Sequence, residues 1–405
     1  MNSQPLETVS ISRLPRAGQK AMPLPSPAST SARPIAWLGA RSPFGLALPD
    51  AHPSASQLYA PRGVWLDDER LIVCDSGNHR ILIWNTVPEQ DGTPADVVLG
   101  QKDFESEGPA SGGSSKENGL YLPTGVIVVN GKLVVGDAWH HRVLVWNQIP
   151  TQSNTPPDYA IGQSDLGSVS ANRGANLPSA NSMYWPYGVY FRDGRFYVAD
   201  TGNRRVLGWN SFPESDRAAD VVLGQPDFEY MDENRGGAVN ARSFRWPHDL
   251  TASREGLFVA DAGNHRILFW DGVLESDRDA DRVIGQDQFA ASYEFPYEAP
   301  GPNRLRFPYS IASNNEVLAA ADTANNRILF WRLPLQSREF EPARDVIGQL
   351  DFAGNGENRW DAVLPDTICW PYGICLNRNL LAIADSGNNR VMLWDCRDIL
   401  ESNES

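Results

Sequence analysis

The chain has 405 residues, with 35 Lys and Arg against 50 Asp and Glu, a formal net charge of −15, 41% hydrophobic and 21% charged residues. Those fractions describe an ordinary globular protein and exclude a chain disordered throughout, a collagen or a membrane bundle. The acidic balance tells against a nucleic-acid partner, which is normally met by an excess of Lys and Arg over the phosphates.

Residues 1–34 are rich in Ser, Pro and Ala, lack the apolar stretch of a secretory signal, and read as a disordered leader. From there the chain repeats itself. A Pro precedes a short apolar run at Pro61, Pro123, Pro186, Pro247, Pro308 and Pro371, with spacings of 62, 63, 61, 61 and 63. An Asp recurs with the same spacings at Asp75, Asp137, Asp200, Asp261, Asp322 and Asp385. Five residues after each Asp stands an Arg, and four after that a Trp, so six of the 13 Trp occupy one repeated position. Such self-similarity marks a repeat architecture.

The third unit shows the strands. GVYF is a short apolar strand, RDG a turn, RFYVAD a second strand, TGN a tight turn, RRVLGWN a third strand and DVVLG an outermost fourth. Four short strands without a helical period form the unit of a propeller blade. The last unit stops after VMLWDCRDIL without its VVLGQ strand, and Ile35–Gly39 supplies a matching segment ahead of the first unit. The predicted fold is all-β: a six-bladed β-propeller of four-stranded antiparallel blades over 35–398, closed by an N-terminal strand that completes the last blade. Residues 399–405 read as a tail. Closure removes the free sheet edges that invite aggregation.

The segments DSGNHRILIW (75–84), DTGNRRVLGW (200–209), DAGNHRILFW (261–270), DTANNRILFW (322–331) and DSGNNRVMLW (385–394) resemble the NHL-repeat family. The resemblance covers nearly all of the chain after residue 34. The units are longer than the usual repeat by a polar loop after Gln101, Gln163, Gln225, Gln286 and Gln349, which often continues as xDF; this is similar to a bacterial GQxDF-containing variant of the family. The resemblance implies the propeller fold and leaves activity open, since members include RNA-binding modules, an amidating lyase, sensor domains and scaffolds.

The six Asp–Arg pairs are expected to be structural, bridging adjacent strands or neighbouring blades, and the repeated Trp to pack between blades. His79, His141 and His265 interchange with Arg204, Asn326 and Asn389 at one position, which predicts surface-turn residues rather than metal ligands. The four cysteines, without a CxxC pair, read as unpaired thiols in a reducing compartment, and a cytoplasmic location follows.

Function is sought where the repeats differ. The residues after the repeated Pro are Arg62, Thr124, Tyr187, His248, Tyr309 and Tyr372, followed by Gly63, Gly125, Gly188, Asp249, Ser310 and Gly373. In a closed ring they encircle one mouth of the channel, so Arg62, Tyr187, His248, Asp249, Tyr309 and Tyr372 are candidate binding residues. His248 and Asp249 are neighbours on a strand and point to opposite faces, so they do not pair. In unit two, Trp139 and His140 replace the Gly and Asn of the turn, and with Trp360 they are candidate contacts on the loop-bearing face. Family lyases use several channel histidines for zinc, and only His248 stands at that level; no metal and no cofactor is expected.

The sequence therefore reads as a non-enzymatic scaffold that binds a protein or peptide partner through the loop-bearing face and channel mouth. The alternative is a small-molecule lyase or lactone hydrolase at the mouth. Single-stranded RNA binding is disfavoured by the charge, and no membrane association is expected.

Overall fold

The computed structural model describes residues 32–39, 52–295 and 297–401. Residues 1–31 of the expected leader and 402–405 of the tail lie outside the described residues. Among the described residues the strands group into six four-stranded antiparallel sheets, with few helical turns between them. In the third blade the strands are Pro186–Arg192, Arg195–Asp200, Arg205–Trp209 and Val221–Leu223, joined in that order.

The sixth sheet departs from this order. Its outer strand is Arg33–Gly39, which pairs antiparallel with Arg390–Asp395, Trp37 opposite Met392 and Leu38 opposite Val391. The ring is thus closed by a strand from the start of the chain, beginning two residues upstream of the expected position. A short helix, Arg397–Glu401, follows the last strand. No helix among the described residues is long and apolar enough to cross a membrane.

The core lies between blades rather than within them. One cluster joins Tyr197, Ala199 and Val206 of the third blade to Leu250, Val259 and Trp270 of the fourth, and each further interface has its counterpart. Trp84, Trp146, Trp209, Trp270, Trp331 and Trp394 are all at most 2% exposed. The indole N–H of each of the first five donates to a carbonyl in the loop between third and fourth strands, as from Trp270 to Arg278. The sixth blade has no such loop, because its fourth strand arrives from elsewhere, and the Trp394 N–H finds no partner among the described residues.

The Asp–Arg pairs join neighbouring strands of the same blade, where the two residues are register partners. All twelve side chains are fully buried. Arg327 shows the arrangement: Nε donates to Asp322 Oδ2 at 2.7 Å, Nη1 to the Phe352 carbonyl at 2.7 Å, and Nη2 to the Gly301 and Arg304 carbonyls at 2.9 and 3.0 Å. One guanidinium therefore pins two loops. The repeated Gln pins one of them further, Gln349 donating to the carbonyls of Asn326 and Gly356. This accounts for the GQxDF segment as a loop anchor.

Contacts across the ring closure match those between other blades. Ser76 and Thr323 hydroxyls donate to the Pro123 and Pro371 carbonyls of the following blades, and Ser386 donates likewise to the Pro61 carbonyl of the first.

Candidate binding site at the channel mouth

Each first strand begins at the face that carries the turn between second and third strands, since Pro186 is the register partner of Asp200 and Pro371 of Asp385. The residues after the repeated Pro therefore gather at one end of the channel. The structure brings five of the six into a closed circle. The Arg62 guanidinium donates to the Tyr187 hydroxyl at 2.6 Å. Tyr187 meets His248 with ring centroids 4.5 Å apart, His248 stacks on Tyr309 at 4.4 Å and 13°, and Tyr309 meets Tyr372 at 4.8 Å. Arg62 then lies 4.8 Å over the Tyr372 ring, completing the circuit. Thr124, the sixth, is buried, and its hydroxyl bonds to backbone carbonyls of the next blade, which is why Arg62 reaches past it.

These side chains are half-buried and open into a central cavity of about 230 Å³ lined by the first strands of all six blades. Among the described residues that line it, Arg62 is the only Lys or Arg and Asp249 the only carboxylate. Burial lowers His248 to about 4, with the Arg62 charge adding to the effect, so the ring is neutral. Its Nδ1 lies 3.2 Å from the Trp246 carbonyl, which can only accept, so Nδ1 carries the proton. Burial also raises the Tyr309 and Tyr372 hydroxyls above the ordinary tyrosine range. Both stay protonated and able to donate.

Asp249 faces its neighbours rather than His248. Its Oδ2 accepts from the Ser310 hydroxyl at 2.6 Å and the Ile311 N–H at 3.1 Å, and Ser310 Oγ in turn accepts from Ile374 N–H at 3.0 Å. Asp249 and Ser310 thus strap blades four, five and six together. In blades one, two, three and six the same position is Gly because the adjacent backbone is too close: a Cβ on Gly63 would stand 1.7 Å from the Thr124 carbonyl oxygen, and one on Gly373 2.0 Å from that of Arg62. Burial raises the Asp249 carboxyl to about 6.

Around the circle stands a collar formed by the residues before the repeated Pro: Trp185, Trp246, Phe307 and Trp370, with Ala60 and Leu122 in the first two blades. Trp139, 42% exposed, packs against Trp185 with centroids at 5.4 Å and against Tyr121 at 5.3 Å. Trp246 stacks on Phe307. Trp370 is 38% exposed, and its N–H donates to Glu357 in the same short turn that carries Trp360, itself 77% exposed.

His140 does not join this surface. It is 5% exposed, and its Nδ1 lies 2.9 Å from Asp137 Oδ2, the place filled in other blades by the amide of Asn78, Asn203, Asn264, Asn325 or Asn388. The turn position was read as exposed, but its second residue points inward.

The interchangeable histidines also differ from the surface-turn expectation. They cap the turn in the left-handed conformation and accept a hydrogen bond from the backbone N–H of the collar residue in the next blade. His79 Nδ1 accepts from Leu122, His141 Nδ1 from Trp185 and His265 Nδ1 from Phe307 at 3.1, 3.3 and 3.2 Å. Asn326 and Asn389 do the same with Oδ1, for Trp370 and, across the ring closure, Ala60. The five collar residues so held all have φ between 44° and 54°. Arg204 cannot accept, and Trp246, the residue it would hold, is absent from the left-handed region. The shared property of His and Asn is an acceptor atom, and no sequence signal beyond their interchange points to it.

No protein-family model matches the chain. It is 23% identical over 372 residues to NHL repeat-containing protein 2 of Bos taurus, covering 84% of this chain and 47% of that protein. The Homo sapiens protein of the same name is 22% identical with the same coverage. The chain is a six-bladed β-propeller with distant similarity to these NHL-repeat proteins. It spans about half the length of these curated relatives. A solved structural-genomics protein of unknown function from Bacteroides thetaiotaomicron aligns with a TM-score of 0.50 and 13% identity, over 90% of this propeller and 75% of that chain, a likeness of fold alone. Among the described residues no three His, Cys, Asp or Glu side chains lie close enough together to hold a metal ion.

Proposed function

We propose that this propeller is a non-enzymatic scaffold whose loop-bearing face and channel mouth bind a protein or peptide partner. The observation that carries the reading is the run of rings from Tyr121 through Trp139 to Trp185 beside an open mouth, with Trp139 exposed and its two neighbours half-buried. Large rigid side chains of this kind anchor protein interfaces because they bury much area for little conformational entropy. The arrays of Arg and Gln bonds beneath hold the surface in place before a partner arrives, which lowers the ordering cost of binding. The four cysteines are all unpaired, which supports a reducing compartment such as the cytoplasm. The repeated Gln anchors support placement with the bacterial GQxDF-containing variant.

The lyase or lactone-hydrolase alternative draws no comparable support: Asp249 is committed to blade five, leaving His248 without a carboxylate to orient it. The test is quantitative capture with immobilised wild type, Trp139→Ala/Trp185→Ala, and Val273→Ser. Val273 is 61% exposed in the loop leaving a third strand, at the opposite end of the blade. A partner lost by the aromatic variant and kept by Val273→Ser supports the reading. Equal capture by all three removes it.

A further inference from the structure

The mouth holds a charge that the protein itself leaves unanswered. The six buried arginines of the blades each have a carboxylate oxygen at 2.6–2.9 Å. Arg62 has none within 4 Å among the described residues; its guanidinium makes one hydrogen bond, to a neutral phenol, and lies over one ring. A guanidinium presents five donors in a planar fork, and most of those on Arg62 have no acceptor among the described residues. The surroundings complete a set of donors: among the described residues the hydroxyls of Tyr309 and Tyr372 make no hydrogen bond, and neither is a buried orphan, so both are open to the cavity.

We infer that the channel mouth captures a carboxylate, with Arg62 as the charged anchor and the Tyr309 and Tyr372 hydroxyls as further donors. One cation and neutral donors match one negative charge. A dianion such as a phosphate monoester would have to share the cavity with the Asp249 carboxylate, and the described lining residues offer no second cation. The cavity, at about 230 Å³, is smaller than the ~300–1,000 Å³ of sites that enclose drug-sized ligands, so it suits an end group rather than a whole large molecule.

A carboxylate reaches such a mouth either on a small organic acid or at the C-terminus of a polypeptide. The second source rests on the partner-binding reading above and makes it specific: the terminal carboxylate enters the circle while preceding residues lie on the collar of Trp185, Trp246, Phe307 and Trp370. Capture of a C-terminal carboxylate is one of the recurring modes of peptide recognition.

The experiment uses a peptide array with free C-termini, the same peptides as C-terminal amides, and benzoate as a small-acid probe read by intrinsic tryptophan fluorescence. It compares wild type, Arg62→Met, Arg62→Lys and Tyr309→Phe, each checked for an unchanged thermal midpoint. The expected result is retention of free-acid peptides on the order of tenfold or more above their amides, lost in Arg62→Met and partly restored in Arg62→Lys. Benzoate binding that depends on Arg62, without any preference for free-acid peptides, keeps the carboxylate anchor and assigns the source to small acids. Equal retention of acids and amides, or a preference unchanged in Arg62→Met, overturns the inference. Peptides still retained through Trp139 in that case leave the partner-binding reading standing, and loss of all retention by wild type removes both.

Discussion

The inter-blade latch makes the stability of this propeller depend on pH through three rings that must stay unprotonated, His79, His141 and His265, the last two of which are lowered furthest. His141 and His265 accept a hydrogen bond at Nδ1, and burial lowers both from 6.5 to about 4. As pH falls through 6.5 the unfolded chain takes up a proton on each, whereas the folded chain does so only near 4. Their contribution is therefore complete above about 6.5 and is lost as pH falls toward 4. Lowering a ring from 6.5 to about 4 corresponds to about 3 kcal/mol; solvent access at His141, which is half-buried, reduces this, so the pair contributes about 3–5 kcal/mol. The perturbation is His141→Asn/His265→Asn, since Asn326 and Asn389 already form the latch without a titrating group. Urea-unfolding free energies near pH 7.5 should change by less than about 1 kcal/mol. Between about pH 6.5 and 4.5 the variant should keep most of the stability that wild type loses. His141→Ala/His265→Ala, which leaves two backbone N–H groups without an acceptor, should cost about 1–3 kcal/mol per site at any pH. An Asn variant as unstable as the Ala variant, or one with the wild-type pH slope, would refute the latch.

Three further outcomes follow from the same geometry. Arg327→Leu strands the fully buried Asp322 carboxylate and should cost about 3–5 kcal/mol in chemical denaturation, and a loss below about 1 kcal/mol would show that the pair is dispensable. Asp249 is held protonated up to about 6, so its ionisation weakens the folded state as pH rises from about 4 to about 6. Asp249→Asn should then be more stable than wild type by about 1–2 kcal/mol near pH 8 and lose that advantage near pH 4; parallel profiles would contradict the assignment. Gly63→Ala drives a Cβ into the Thr124 carbonyl and should cost at least about 1–3 kcal/mol, against under about 0.5 kcal/mol for Gly237→Ala, where the nearest atom is 4.0 Å away.

The blades, their number and the closing strand were legible because they rest on residues repeated in register: one Asp, one Arg and one Trp per unit. The mouth set was legible for the same reason, since a single repeated position in a closed ring must meet itself. Residue identity at that position could not show that the side chains form one circuit, because that depends on Arg62 reaching over a short Thr124. The inward turn of His140 had a signal, its place in a column of Asn residues that all bond to Asp, but the neighbouring Trp139 suggested an exposed pair. The latch was hidden because the group it satisfies, the N–H of a collar residue in another blade, carries no side-chain signature. Asp249 looked individual and is so for a structural reason, replacing a glycine where the blades are strapped rather than pressed together.

Where a partner touches the propeller decides whether the aromatic face is a docking surface or simply exposed packing. A photoreactive phenylalanine analogue placed at position 139, at 360 or at 273 can be cross-linked in the full chain and the adducts mapped. Partner adducts at 139, weaker or absent ones at 360 and none at 273 are the predicted pattern. Adducts confined to 273, or equal at all three positions, would contradict binding through the loop-bearing face.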